Sequence, residues 1–274
     1  YSRKLDRLGY KLYDEYGFVP GPKTLIESIS KLHVGQVIKF NMEDGRQIYN
    51  KHIKFNYHQK KMETFDYAGF RSEMGDAVRR CVMGKRQVGL YLSGGMDSGM
   101  ILHELSQFMD KPKTFTTRFQ DSKNGKRGEF PTGGVNEDAD YALKMAKKYN
   151  SEHTELFITP QMFIDAVDDC ALALEEPRAN KNTPAYYLLN KELARQGIVV
   201  TLSGDGGDEV LTGYLRHHKY ENIPGIQTDV YPMTKGDPEI MEYTKSWFPI
   251  NQFTEDNMNN QLYTETIIHL VEDF

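Results

Sequence analysis

Val88-Gly89-Leu90-Tyr91-Leu92-Ser93-Gly94-Gly95-Met96-Asp97-Ser98 is the stretch that decides the fold. The first five residues are an apolar run of the kind that makes a buried strand. The polar turn after them opens onto a helix-like stretch, Gly99 to Met109. A strand, a tight turn and a helix start in that order build a site for a nucleotide's phosphates. Gly94 and Gly95 carry no Cβ, so the backbone there can take positive φ and come within hydrogen-bonding reach of an oxyanion. The N–H groups of the turn and the first orphan donors of the helix then point at one spot, where the helix dipole adds about half a unit of positive charge. Ser93 and Ser98 bring hydroxyl donors. Asp97 is out of place beside an anion unless a divalent ion stands between carboxylate and phosphate, so the acid implies magnesium. The competing reading is a glycine-rich turn joining a core strand to a core helix. Agreement of strand, six-residue string and helix favours the phosphate site.

A second string repeats the pattern. Ile198-Val199-Val200-Thr201-Leu202 reads as a buried parallel strand and runs into Ser203-Gly204-Asp205-Gly206-Gly207-Asp208-Glu209. In an open α/β sheet ligands sit beyond the carboxyl ends of the strands, so both turns are expected to face one crevice. Asp97 and Asp208 could then share one magnesium on a pyrophosphate, leaving Asp205 or Glu209 to orient a reacting carboxylate or amine.

No Gly-x-x-x-x-Gly-Lys-Ser/Thr string occurs, so the turn is not a Walker A loop. Ser-Gly-Gly-x-Asp-Ser instead resembles the loop of the PP-loop ATP pyrophosphatases, which grip the outer two phosphates as a leaving group and move AMP onto a substrate. With the second string, Leu202 to Tyr214, the chain resembles the asparagine synthetase family of glutamine-dependent amidotransferases. Other parts match in the same order. Tyr16 to Leu25, then Ile29 to Leu32 and Gly35, is similar to the segment joining that family's glutaminase and synthetase domains. Lys113 to Thr117 resembles the second sheet strand, Glu137 to Tyr149 the next helix, and Glu152 to Phe157 the third strand. Glu175-Glu176-Pro177 stands where the family has Asp-Glu-Pro.

The resemblance implies roles position by position. Leu92, Ser93, Gly94, Gly95, Asp97 and Ser98 would hold ATP and its magnesium, with Thr117 beside the adenine and Ser203 and Gly204 touching the nucleotide through the backbone. Asp97 and Asp208 are the metal candidates, and Asp205, Glu209 and Glu176 the catalytic ones. Asp205 replaces a glutamate common in asparagine makers, so its carboxylate sits one methylene further back. Thr212 and Arg118 occupy places where glycine is frequent, a departure that bears on substrate fit more than on ATP chemistry. For Glu176 two readings stand side by side, a site residue and a helix-terminal acid before a proline.

Composition suits a soluble enzyme without choosing one, and a cytoplasmic location is the expectation. The 274 residues suffice for a sizeable core. With a net charge of −5 and no basic tract, nucleic acid is not an expected partner. Lys123 to Arg127 is the nearest basic patch, short and flanked by glycine. No apolar run approaches the roughly 20 residues of a membrane span, and no signal peptide opens the chain. Cys81 and Cys170 are far apart in helical patterns, which suits buried thiols and a reducing compartment. The eight histidines show no zinc spacing; His153 and the neighbours His217 and His218 read as structural or surface residues.

Along the chain, residues 1–60 read as a connector with a helical start and two short strands, Val37 to Phe40 and Gln47 to Tyr49. Residues 61–220 alternate helices and strands as a doubly wound, mainly parallel sheet, the fold class that the resemblance also implies. Residues 221–274 are a helical extension, interrupted by Pro224, Gly225, Pro232, Gly236 and Pro238 and ending in a helix over Asn260 to Val271. Gln120 to Val135, rich in Gly, Lys, Asp and Ser, is either a lid over the crevice or a plain surface loop.

The function implied is ATP-dependent amide formation, with aspartate the favoured acid and a glutaminase domain or subunit the ammonia source. Lactam formation, sugar-acid amidation and an inert nucleotide-binding subunit are the alternatives, and a homo-oligomer is compatible with any of them. The chain begins at Tyr1, within what resembles the end of the glutaminase domain. It ends at Phe274, before the family's synthetase domain finishes and before a lysine that serves the pyrophosphate. A piece of a longer polypeptide, or completion by a partner subunit, is therefore expected.

Overall fold

The computed structural model describes residues 4–52, 64–120, 135–178, 180–214 and 237–247, together with Leu262, Glu265 and Thr266. The chain forms two compact units, one from residues 1–61, 176–180 and 206–274, the other from 62–175 and 181–205.

The second unit carries the sheet. Its elements are α2 (Tyr67–Cys81), β3 (Val88–Tyr91), α3 (Met96–Leu105), β4 (Lys113–Phe119), α4 (Val135–Lys148), β5 (Glu152–Ile158), α5 (Pro160–Leu174), α6 (Thr183–Arg195) and β6 (Val200–Leu202). Four strands lie in the order β5-β4-β3-β6, and every pair is parallel. From β3 the chain winds outward through β4 and β5 and then returns to the other side of β3, so the switch point of the sheet lies between β3 and β6.

Strand alternation sorts the apolar side chains to two faces. Leu90 and Leu92 pack with Val78, Ile101, Leu102, Leu105, Ala142 and Ala146 of α2, α3 and α4. Tyr91 points the other way, into a cluster of Phe115, Leu189, Leu193 and Ile198 that belongs to the α6 side. Helices thus cover both faces, the doubly wound parallel arrangement expected from the alternating pattern. Leu90, Leu92, Leu102, Phe115 and Leu193 are essentially solvent-free, and each such side chain contributes roughly 1.5–3 kcal/mol of transfer free energy. Local signals set the helix ends. Thr159 accepts a hydrogen bond from Met162 N at 3.1 Å with Pro160 at the first helical position, as the Thr-Pro string predicts.

The first unit contains α1 (Arg7–Tyr16), the antiparallel pair β1 (Gln36–Phe40) and β2 (Gln47–His52), a five-residue helix α7 (Gly207–Leu211) and α8 (Pro238–Trp247). Leu12, Val19 and Ile240 form its small core. Lys11 joins α1 to the start of α8 through Asp237 at 2.7 Å and Glu239 at 2.8 Å. Pro238 opens α8 instead of interrupting the pattern: a proline at the first helical position gives up a donor that has no intrahelical partner there. Leu262, Glu265 and Thr266 are helical, while the rest of the helix expected over 260–271, the Gln120–Val135 stretch beyond Gln120 and before Val135, and His217-His218 lie outside the described residues.

Both cysteines are free, but only Cys170 is buried. Cys81 is exposed, contrary to the expectation of two buried thiols, because it ends α2 on the turn facing water. No helix among the described residues is long and apolar enough to cross a membrane.

Candidate nucleotide site at the sheet's carboxyl edge

The first turn departs from the sequence reading in one detail. Gly94 has φ +84° and occupies the left-handed region. Gly95 has φ −76° and ψ 171°, an extended N-cap, so only one of the two glycines uses its conformational freedom. That cap starts α3 at Met96, earlier than the apolar pattern suggested, and places Asp97 and Ser98 inside the first helical turn.

What requires Gly94 is the helix beside it. A Cβ built there would stand 2.3 Å from Asp138 O, 2.9 Å from Ala142 N and 2.9 Å from Tyr141 Cβ, so the turn is pressed onto the backbone of α4. Hydroxyls complete the turn. Ser98 Oγ receives Ser93 N at 3.2 Å, lies 3.0 Å from Ser93 Oγ and donates to Gly95 O at 3.3 Å, and Gly95 N donates to Ser93 Oγ at 3.2 Å. Ser98 is 3% exposed, so its hydroxyl organises the loop from within, whereas Ser93 is exposed.

The second string meets the first at Gly204. A Cβ on that residue would lie 2.8 Å from Ser98 N and 3.0 Å from Asp97 Cβ, so the exit of β6 is packed against the start of α3. The register Gly89↔Thr201 and Leu90↔Leu202 carries the two turns to the same edge. Ser203, Gly204 and Asp205 therefore share that edge with Ser93 to Ser98.

A cavity of about 230 Å³ opens beside them. Its walls are Tyr91, Leu92 and Ser93 from the end of β3, Phe115, Thr116, Thr117 and Phe119 from β4, and Asp138 from the first turn of α4. Asn182, Ala185, Tyr186 and Leu189 close the far side, one face of α6 at helical spacing. Tyr91 donates its hydroxyl to Asn190 Oδ1 and meets Tyr186 edge-on at 6.0 Å. Burial first, and the negative charge of Asp205 second, push the Tyr186 phenol above its ordinary value, which keeps it a hydrogen-bond donor. Of the residues singled out from sequence, Leu92, Ser93 and Thr117 line this cavity. Asp138 and Tyr186 were missed. An acid in a first turn and a tyrosine in an amphipathic helix are what any such helices carry, so neither gave a signal.

Arg118 does not project as a free cation. Its guanidinium pairs with Asp140 at 2.7 Å and Glu155 at 2.8 Å, joining β4, α4 and β5. The arginine where glycine is frequent is thus tied into the framework.

Asp208, Glu209 and Glu176 belong to the first unit. Asp208 and Glu209 stand in the first turn of α7, a helix that the sequence pattern did not reveal. Glu209 is 3% exposed and accepts from Tyr214 OH at 2.6 Å. Glu176 pairs with Lys31 Nζ at 3.0 Å, and its Oε1 is buried without a hydrogen-bond donor among the described residues. Asp97 lies in the other unit, so convergence of Asp97 and Asp208 on one ion belongs to the proposal below.

These acids fit magnesium by donor type, since a hard cation takes oxygen ligands. Among the described residues no group of three or more His, Cys, Asp or Glu is placed to hold a metal. Magnesium is ordinarily held by one or two carboxylates with phosphate oxygens completing the set, which suits an ion delivered with a polyphosphate.

The fold and this edge define a doubly wound α/β domain with glycine turns on adjacent strands at its switch point. A model of the asparagine synthase family matches residues 69–266, and the chain belongs to that family. Similar proteins include the putative asparagine synthetase (glutamine-hydrolyzing) 2 of Methanocaldococcus jannaschii, 28% identical over 225 residues. The alignment covers 79% of this chain and 40% of that protein. Asparagine synthetase (glutamine-hydrolyzing) 1 of Bacillus subtilis is 26% identical over 228 residues, covering 81% of this chain and 34% of its own length. The chain thus spans well under half of these relatives. Among solved structures, the NH3-dependent NAD synthetase of Campylobacter jejuni overlaps 55% of this chain and 61% of its own, with 18% identity and a TM-score of 0.34.

Proposed function

We propose that this chain is the ATP-using part of an amide-forming ligase that activates a carboxylic acid as its acyl-adenylate, with aspartate the favoured acid. A carboxylate oxygen of the acid attacks the α-phosphorus of ATP, and the bond to the β-phosphate oxygen breaks to release pyrophosphate. Ammonia then adds to the acyl carbon, AMP leaves with the former carboxylate oxygen, and the nitrogen loses a proton. The junction at Gly204, which sets the two motif strings against each other at the ends of adjacent parallel strands, carries this reading.

Each residue has a task in it. Thr117 lies beside the adenine, Leu92, the Ser93 to Gly95 turn and the start of α3 hold the rest of the ATP, and Ser203 and Gly204 touch the nucleotide through the backbone. Asp97 and Asp208 hold magnesium, which would neutralise charge growing on the leaving pyrophosphate, a contribution on the order of several kcal/mol. Asp205 and Glu209 orient the acid or the incoming amine, and Glu176, with an oxygen buried and without a donor among the described residues, is a further acceptor for an N–H group. A glutaminase domain or subunit supplies the ammonia, in keeping with the glutamine-hydrolyzing relatives.

ATP–pyrophosphate exchange measured with a panel of carboxylates tests this. Exchange is expected with aspartate above succinate and other acids. Exchange with none of them removes the ligase reading, and ATP binding that ignores magnesium would leave a nucleotide-holding module in its place.

A further inference from the structure

The three residues that follow α7 fold back onto its two acids. Thr212 takes φ +61° and ψ 37°, which reverses the chain, and Gly213 N then donates to Asp208 O at 3.0 Å. The reversal lays Gly213 against the Asp208 side chain so closely that a Cβ on Gly213 would stand 1.7 Å from Oδ1 and 2.7 Å from Cγ. The next residue, Tyr214, reaches the neighbouring acid and donates its hydroxyl to Glu209 Oε1 at 2.6 Å. Within one turn, therefore, each acid has its own keeper. Asp208 has an oxygen where any other residue at 213 would place its Cβ, and Glu209, almost solvent-free, has a phenol directed at one oxygen.

We propose that Gly213 and Tyr214 are positioning residues: Gly213 leaves the space that sets the Asp208 carboxylate, and Tyr214 sets that of Glu209. This rests on the reading of Asp208 as a magnesium ligand and Glu209 as an orienting acid. Two acids side by side repel one another and need fixed, different directions to serve two partners. The obstruction at Gly213 explains how they get them. Its nearest contacts are the end of a side chain, which can swing away, and Asp208 Cα at 3.0 Å, which needs only a small backbone shift. A methyl group at 213 thus displaces the carboxylate and leaves the helix in place.

The test uses Gly213→Ala and Tyr214→Phe in the intact chain, with manganese as the metal probe. Paramagnetic resonance follows manganese bound with ATP, calorimetry follows ATP without metal, and thermal melting follows the fold. Gly213→Ala is expected to weaken manganese–ATP binding about tenfold or more, the usual cost of disturbing a ligand's support, with metal-free ATP binding and melting close to wild type. Tyr214→Phe is expected to keep the manganese affinity and to raise the apparent KM for the acid in pyrophosphate exchange.

If wild type binds manganese with ATP and Gly213→Ala binds it equally well, the keeper role of Gly213 is overturned while the ligase reading stands. A lowered melting point with metal affinity intact overturns it too, because the glycine is then only a structural cap. If Tyr214→Phe leaves the KM for the acid unchanged, the role of Tyr214 falls. If the wild-type chain shows no metal-dependent ATP binding, Asp208 is not a ligand, and this inference falls with that assignment.

Discussion

Gly94 and Gly213 both stand where a Cβ cannot fit, yet what crowds them differs in kind. Against Gly94 lie the carbonyl of Asp138 and the amide of Ala142, backbone atoms of a helix that itself packs on the sheet. Against Gly213 lies above all the tip of an acid. Backbone within a packed helix cannot give way without moving the helix, whereas a carboxylate can rotate. The first glycine is therefore a condition of folding, and the second a condition of where one charge points.

Gly94→Ala gives the largest effect expected from this contrast. A side chain at φ +84° meeting two backbone atoms inside contact distance is expected to cost about 2–4 kcal/mol, read as a lower urea midpoint. A loss below about 0.5 kcal/mol, the usual range for uninvolved surface positions, would mean that the two glycines do not differ as described.

Thr212→Gly has the opposite sign. A β-branched residue at φ +61° is strained, and glycine relieves it at some cost in unfolded-chain entropy, so a gain of roughly 0.5–1 kcal/mol is expected in the same assay. Unchanged or lower stability would show that Thr212 is not the strained member of the second turn.

The smallest effect concerns the amino ends of β4 and β5, at the start of the parallel strands. His153 Nδ1 lies 2.9 Å from Thr114 Oγ1, which is also 2.9 Å from Ser151 Oγ, while Nε2 is buried without a hydrogen-bond partner among the described residues. Burial, offset in part by Glu155, holds the His153 pKa below the usual 6.5. With the folded-state value lowered, the unfolded chain binds the proton first. The contribution of neutral His153 is whole above pH 6.5 and shrinks as the pH falls toward and through the folded value. The urea midpoint should therefore decline below pH 6.5 more steeply in wild type than in His153→Gln. Equal slopes would show that His153 has no such role.

Much of the sheet was legible in the residues. The stretch Lys113 to Thr117 lies within β4, which runs on to Phe119, and Thr159 before Pro160 caps α5. Such signals are local: alternation, a hydroxyl before a proline, glycines after an apolar run. Where the reading missed, the deciding contact lay farther along the chain or in space. The helix α7 has only five residues, too few for a periodic pattern, and is completed by the reversal at Thr212 and the return of Tyr214. Arg118 looked like a change near substrate, but Asp140 and Glu155 hold it in the framework.

Residue order alone settled the family, the alternation of strand and helix, and which turns carry glycine and acid, because these depend on neighbours a few residues apart. It left open that Gly94 would be left-handed and Gly95 extended, that Ser98 would turn its hydroxyl inward, and that Asp138 and Tyr186 would wall the cavity. Those outcomes depend on which backbone lies across from each residue once the strands have paired and the helices have packed, and only three-dimensional packing supplies that neighbour.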